Sequence, residues 1–107
     1  MIFADFLTLA DGRMTGFRIA GHAEQAPQGE DIVCAAVSSA AYLTVNTATE
    51  VLGISPLSLR ADEGEMFFRI ELKDEPACRA LLTGLKLHLV GLEEQYPDNI
   101  HVNYLEV

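Results

Sequence analysis

Tryptophan is absent from this 107-residue chain, and lysine and arginine together number only seven against sixteen aspartates and glutamates. The formal net charge of −9 argues against phosphate-backbone binding as the main activity, because such proteins carry clustered basic residues. The acids either form a solvated surface or attract a basic partner. No Walker-type phosphate loop or dinucleotide fingerprint is present. We therefore expect no direct nucleic acid binding and no cofactor.

Cysteines are also few, and targeting signals are lacking. Cys34 and Cys78 are the only cysteines, and no paired CxxC or HxxxH spacing indicates a metal site. Residues 1–5 lack the basic region and the long apolar core of a signal peptide. Charges and glycines interrupt the apolar runs, so we expect no membrane span. These features favour a cytoplasmic protein with two separate thiols.

The hydrophobic half of the composition predicts a single domain with a substantial core over residues 1–107. The pattern of apolar and turn residues predicts strands at 2–9, 15–20, 57–61, 66–72 and 100–104. It predicts helices at 31–52 and 74–95, with Gly53 ending the first and Pro76 in the first turn of the second. The order β-β-α-β-β-α-β predicts an α+β domain with two helices packed on a mixed sheet.

The predicted first helix carries almost no charge. Its residues are small and weakly polar on nearly every side, and Glu50 is the first charged residue inside it. A helix without a charged stripe is usually buried on more than one side. The sheet, the second helix or another subunit is expected to cover it.

A histidine and a cysteine at two element boundaries are the candidate reactive residues. His22 follows the second predicted strand, and Cys34 lies near the start of the first predicted helix. Asp31 is a favourable N-cap residue, which places Cys34 at the third helical position. There the helix dipole and the unpaired backbone N–H groups favour the thiolate. A neutral histidine within reach would complete a Cys/His pair for acyl transfer.

Each candidate also has a structural interpretation. Cys34 can be a buried helix cysteine, and His22 a surface histidine at a strand end. Asp31 either caps the helix or orients the histidine, and capping is favoured. Ser38, one turn beyond Cys34, either hydrogen-bonds near the thiol or allows close packing, and packing is favoured. Cys78 lies on the apolar stripe of the second predicted helix, where core packing is expected.

The Gly-His-Ala segment at residues 21–23 and the segment GEDIVCAAVS at residues 29–38 resemble the ribosomal-processing cysteine proteases called Prp. The resemblance covers the whole chain in element order. It implies a catalytic dyad of His22 and Cys34, cleavage of a short N-terminal extension from a large-subunit ribosomal protein, and a homodimer. The chain departs from the family pattern at Glu24, where members commonly carry glycine, and at Pro27.

The connection before the first helix is the expected substrate loop. It is long for a compact domain and is expected to fold over an extended peptide and shield the site. The residues assigned to it are Ala23, Glu24, Pro27 and Gly29. The backbone N–H groups at the helix start, including that of Cys34, are the expected oxyanion donors.

Two other functions stay open at this point. One is a non-catalytic, ribosome-associated binding module in which His22 and Cys34 are incidental. The other is a redox or acyl-transfer enzyme that uses Cys34 differently. Cys78 would be a poor resolving thiol on a core stripe, which disfavours the redox version.

Overall fold

The computed structural model describes residues 1–21, 28–62 and 64–107, and the side chains of these residues except 28–31. The strands are β1 (Ile2–Thr8), β2 (Met14–Ala20), β3 (Ser58–Asp62), β4 (Glu65–Arg69) and β5 (Ile100–Glu106), and the helices are α1 (Gln28–Asn46) and α2 (Glu75–Gln95). A π-helical turn, Thr47–Val51, continues α1, and a 3₁₀ turn, Leu72–Asp74, leads into α2. The predicted element order is confirmed.

The five strands form one sheet in the order β3-β4-β2-β1-β5. β5 runs parallel to β1, and the other neighbouring pairs are antiparallel, so the sheet is mixed as predicted. The chain crosses from β4 to β5 through α2, because parallel strands need such a connection. Buried residues of both helices join a single core cluster on one face of the sheet.

A row of phenylalanines forms the centre of that core. Phe6 pairs with Phe17 across β1 and β2, and Phe17 pairs with Phe68 across β2 and β4. The ring centroids lie 6.3 and 5.7 Å apart, and all three side chains are fully buried. Leu82 and Leu89 of α2 are buried in the same cluster. Removing any one of these rings costs about 3–5 kcal/mol in a packed core.

The first helix begins three residues earlier than predicted, at Gln28 rather than at Asp31. Pro27 precedes it in the sequence, and proline is favoured at helix starts. Glu30 and Asp31 are then acidic residues in the first turn, which suits the helix dipole. Gly53 adopts φ +69 just beyond the π-helical turn, so the predicted end of the helical segment is confirmed.

The expectation that every apolar run is too short to span a membrane is wrong for one segment. Ile32–Val51 is long and apolar enough by length and composition, and Glu50 is its only charged residue. Val33, Val37 and Ala41 are buried against the sheet at intervals of four residues. One side of the segment therefore packs in the core, whereas Ile32, Leu43 and Val51 are exposed, so the expected cover on more than one side is not seen.

Candidate functional site

Cys34 lies in the second turn of α1, because the helix begins at Gln28 and Cys34 is its seventh residue. Its side chain is half-buried and packs against the core cluster. A backbone N–H at this position is committed to the helix's own hydrogen bonding. The prediction that Cys34 occupies the third helical position is therefore wrong, while the role of its N–H as an oxyanion donor stays a prediction. The influence of the helix dipole is also weaker there than in the first turn.

Ser38 lies one turn beyond Cys34 on the same flank of α1, and Tyr42 lies one turn beyond Ser38. Ser38 and Tyr42 line a cavity of about 250 Å³. Among the residues that the structure describes, the cavity is also lined by Ile19, Ala41, Asp62, Gly64, Glu65 and Met66. Cys34 therefore lies on the same helix flank as two residues that line this cavity between α1 and the β3–β4 hairpin.

The end of β2 is held beside the same hairpin. The Gly21 N–H donates a hydrogen bond of 3.2 Å to the Gly64 carbonyl. Gly21 has φ +102, and a Cβ built on it would lie 2.2 Å from the Met1 carbonyl oxygen, so only glycine fits there. The residue immediately before His22 is thus fixed at a defined place, next to a hairpin residue that lines the cavity.

Several predicted site residues lie outside the part of the chain that the structure describes. They are His22, Ala23, Glu24, Pro27 and, for its side chain, Asp31. The backbone of Gly29 belongs to α1, so its assignment to the loop is wrong, and the predicted loop of residues 23–30 is shortened by its last three residues. Asp31 is the fourth residue of the helix, so its assignment as the N-cap is wrong as well.

Cys78 is the internal contrast to Cys34. It is fully buried on α2 and belongs to the core cluster, as predicted. Burial raises the pKa of the Cys78 thiol, and the negative charges of Asp74 and Glu75 raise it further. Cys78 is therefore a neutral, inaccessible thiol at physiological pH.

Two of the features that shape the site were not predicted from the sequence. The contact between Gly21 and Gly64 joins residues from distant parts of the chain, and Tyr42 was not singled out as a lining residue. For the contact between Gly21 and Gly64, the only signal in the sequence was the Gly-His dipeptide after a strand. Among the described residues, no group of three or more histidines, cysteines or acids could hold a metal ion.

Comparison with known sequences identifies relatives over nearly the whole chain. The family model named Cysteine protease Prp matches residues 1–101. The ribosomal processing cysteine protease Prp of Bacillus subtilis (strain 168) is 31% identical over 107 residues, covering 95% of this chain and 96% of that protein. The protein of the same name from Staphylococcus aureus (strain Mu50 / ATCC 700699) is 29% identical over 106 residues, covering 97% of this chain and 99% of that protein.

Solved structures share the fold. The essential ribosomal processing protease Prp from S. aureus, crystallised with a substrate peptide, matches with a TM-score of 0.88 at 27% identity, covering 98% of this chain and all of that one. A protein from Streptococcus mutans matches with a TM-score of 0.86 at 28% identity, covering 100% and 99% of the two chains. The chain therefore belongs to the Prp family of ribosomal-processing cysteine proteases.

Proposed function

We propose that His22 and Cys34 form the catalytic dyad of this protease. One observation carries the proposal. Gly21, the neighbour of His22, bonds to Gly64, and Gly64 lines the same cavity as Ser38, one turn from Cys34. The chain segments that carry the two residues thus converge on one region of the surface. The half-buried thiol of Cys34, one helical turn before the cavity-lining Ser38, supports the same assignment.

In the proposed reaction, His22 accepts the proton of the Cys34 thiol, and the thiolate attacks a peptide carbonyl. The tetrahedral intermediate collapses to a thioester, and His22 protonates the amine that leaves. Water then attacks the thioester, releases the new carboxylate and restores the thiol. Because Cys34 lies in the second turn of α1, its activation depends on the histidine more than on the helix dipole.

The proposed substrate is a basic, large-subunit ribosomal protein, from which the enzyme removes a short N-terminal extension. The Bacillus subtilis relative is a ribosomal processing protease, and the S. aureus relative binds a substrate peptide. The net charge of −9 supports a basic substrate, since ribosomal proteins contact RNA phosphates through basic residues. The long-range field would raise the encounter rate with such a protein. We place the enzyme in the cytoplasm and expect it to act as a homodimer.

The dyad is tested by comparing three variants on a peptide that spans the cleavage site. Cys34→Ser should abolish cleavage and keep peptide binding, because a hydroxyl is far less acidic than a thiol. His22→Ala should lower kcat by about two to four orders of magnitude, the usual contribution of general acid–base catalysis. Cys78→Ala is the matched cysteine control and should cleave at the wild-type rate.

Two results would reject the proposal. Cleavage by His22→Ala at the wild-type rate would remove the histidine from the reaction. Tight binding of the ribosomal protein without any fragments, in the wild type and in Cys34→Ser alike, would identify a binding module instead of a protease.

A further inference from the structure

A second cavity lies at the opposite end of β2 from the candidate catalytic region. This α2 cavity has a volume of about 300 Å³ and is lined by residues 11–14 of the β1–β2 turn and by Glu75, Arg79, Thr83 and Lys86 of α2. The turn precedes β2, whereas Gly21 follows it. A strand rises about 3.3 Å per residue, so the length of β2 holds the two regions about 20 Å apart.

The α2 cavity collects positive charge on a strongly acidic chain. Arg13, Arg79 and Lys86 line it, and they are three of the seven basic residues in the sequence. Together with the carboxylates of Asp11 and Glu75, the described lining residues carry a net charge of +1, whereas the whole chain carries −9. The cavity thus offers an anion a local attraction that the rest of the surface opposes.

Carboxylates hold both guanidinium groups in place. Glu75 is only 1% exposed, and it accepts hydrogen bonds from Nε and Nη2 of Arg79 at 3.0 and 2.9 Å. Asp11 accepts hydrogen bonds from Nε of Arg13 at 2.8 Å and from the Arg13 backbone N–H at 3.0 Å. The two arginines are therefore oriented before any ligand arrives, which lowers the entropy cost of binding.

The same ion pairs leave donors available to a ligand. Within the described part of the chain, Nη1 of Arg79 and both terminal nitrogens of Arg13 make no hydrogen bond. The ammonium of Lys86 lies 6.0 Å from the centroid of the Tyr104 ring, a contact that leaves its N–H groups unused. Thr83 adds a hydroxyl to the lining. Guanidinium, ammonium and hydroxyl groups are the side-chain donors that bind phosphate in proteins.

We propose that the α2 cavity binds a phosphate group, either as free inorganic phosphate or as a phosphodiester of RNA. A phosphate group carries about one to two negative charges at neutral pH, depending on how it is esterified. Its tetrahedral oxygens can meet Arg13 on the turn and Arg79 and Lys86 on the helix at once, whereas a planar carboxylate offers only two oxygens. One such contact does not need the extended basic surface of proteins that follow a nucleic-acid backbone, so it is compatible with the net charge of −9.

The test follows the backbone amide NMR signals of the full chain during titration with inorganic phosphate at constant ionic strength. The signals of Gly12, Arg13 and Thr83 should shift and saturate. Sodium acetate at the same ionic strength is the comparison anion and should leave them nearly unchanged. A second titration uses a short RNA without terminal phosphates. Saturating shifts of the same signals with this RNA would identify a phosphodiester as a ligand, and shifts with inorganic phosphate alone would identify the free ion.

Variants then assign the binding to this cavity. Arg13→Gln and Lys86→Gln should each raise the dissociation constant by about tenfold or more, because each removes a charge-assisted hydrogen bond. Arg79 is left in place, since its loss would leave the buried carboxylate of Glu75 without its partner. Lys73→Gln is the matched control, because the exposed Lys73 carries the same charge and does not line the cavity.

The control should keep the wild-type dissociation constant, and the NMR spectrum of each variant reports that it is folded. An equal loss of affinity in Lys73→Gln and Arg13→Gln would show a general attraction of charge and overturn the site. An equal response to acetate would overturn the selectivity for phosphate. Signals of Gly12, Arg13 and Thr83 that do not move with either phosphate or RNA would reject the proposal outright, and none of these results depends on the Cys34–His22 dyad.

Discussion

Selective alkylation of the two cysteines follows directly from their positions. Cys34 is half-buried, one helical turn before the cavity-lining Ser38, whereas Cys78 is fully buried and its pKa is raised by burial and by two acidic neighbours. Alkylation requires an accessible thiolate. Iodoacetamide can reach Cys34 in the folded protein, but Cys78 becomes accessible only when the core opens. The free energy of that opening should therefore set the ratio of the two alkylation rates.

The size of the difference can be worked out from the core. Cys78 packs with Leu82 and Leu85 in the central cluster, so we take its exposure to require global unfolding. A domain with a free energy of unfolding of at least about 5 kcal/mol exposes such a group less than about one part in a thousand of the time. Cys34 should therefore react at least about a thousandfold faster at neutral pH.

Peptide mapping by mass spectrometry after timed exposure to limiting iodoacetamide measures both rates in one sample. Urea below the unfolding transition should accelerate the reaction of Cys78, since its opening free energy falls linearly with denaturant. The reaction of Cys34 should change little over the same range. Equal rates for the two cysteines in the folded protein would refute the assignment of Cys34 as the accessible thiol.

Four further outcomes are expected. The kcat/KM for a full-length basic ribosomal protein should fall clearly as the salt concentration rises, because screening shortens the range of the electrostatic field to about 3 Å at 1 M. The kcat/KM for a short neutral peptide should respond much less to salt. Parallel salt dependences for the two substrates would exclude electrostatic steering. The free energy of unfolding should fall as pH rises through 9.0, the ordinary pKa of the Cys78 thiol. In that range the thiol of the unfolded chain loses its proton, while the thiol of the folded chain keeps it because its pKa is raised. Cys78→Val should weaken this pH dependence of the free energy of unfolding in denaturant titrations. Gly91→Ala should stabilise α2 by about 0.5–1 kcal/mol, since a built Cβ there meets no atom within 4 Å. Gly16→Ala should destabilise the protein by about 2 kcal/mol or more, because the new Cβ would lie 2.0 Å from the Phe68 carbonyl oxygen and the φ of Gly16 is +153. A variant as stable as the wild type in thermal unfolding would contradict the register of β2.

The elements that the sequence predicts well are those with a strong periodic pattern. The buried face of α2 follows its apolar stripe, whereas in β5 only Ile100 is fully buried and the predicted alternation fades toward the exposed Tyr104. The order of the strands in the sheet, in contrast, cannot be predicted from such local patterns. Nothing local in β5 indicates that it pairs in parallel with β1, because such a pairing depends on contacts nearly one hundred residues apart.

The errors at the site have a local cause. Asp31 is a good capping residue, but Pro27 and the acidic Glu30 also favour a helix start, and in the structure the earlier start at Gln28 is the one adopted. This earlier start moves Cys34 from the third helical position to the seventh, and so from the first turn into the second. The π-helical turn at Thr47–Val51 was not predicted either, since its residues also suit an ordinary α-helix.

Mass spectrometry of candidate ribosomal proteins after incubation with the enzyme tests the central proposal most directly. The wild type should release one short N-terminal fragment from a large-subunit protein, and Cys34→Ser and His22→Ala should each leave that protein uncut or nearly so. Cys78→Ala should release the same fragment at the wild-type rate. An intact substrate after incubation with folded wild-type enzyme, or the same fragment produced by Cys34→Ser, would contradict the proposed Cys34–His22 protease.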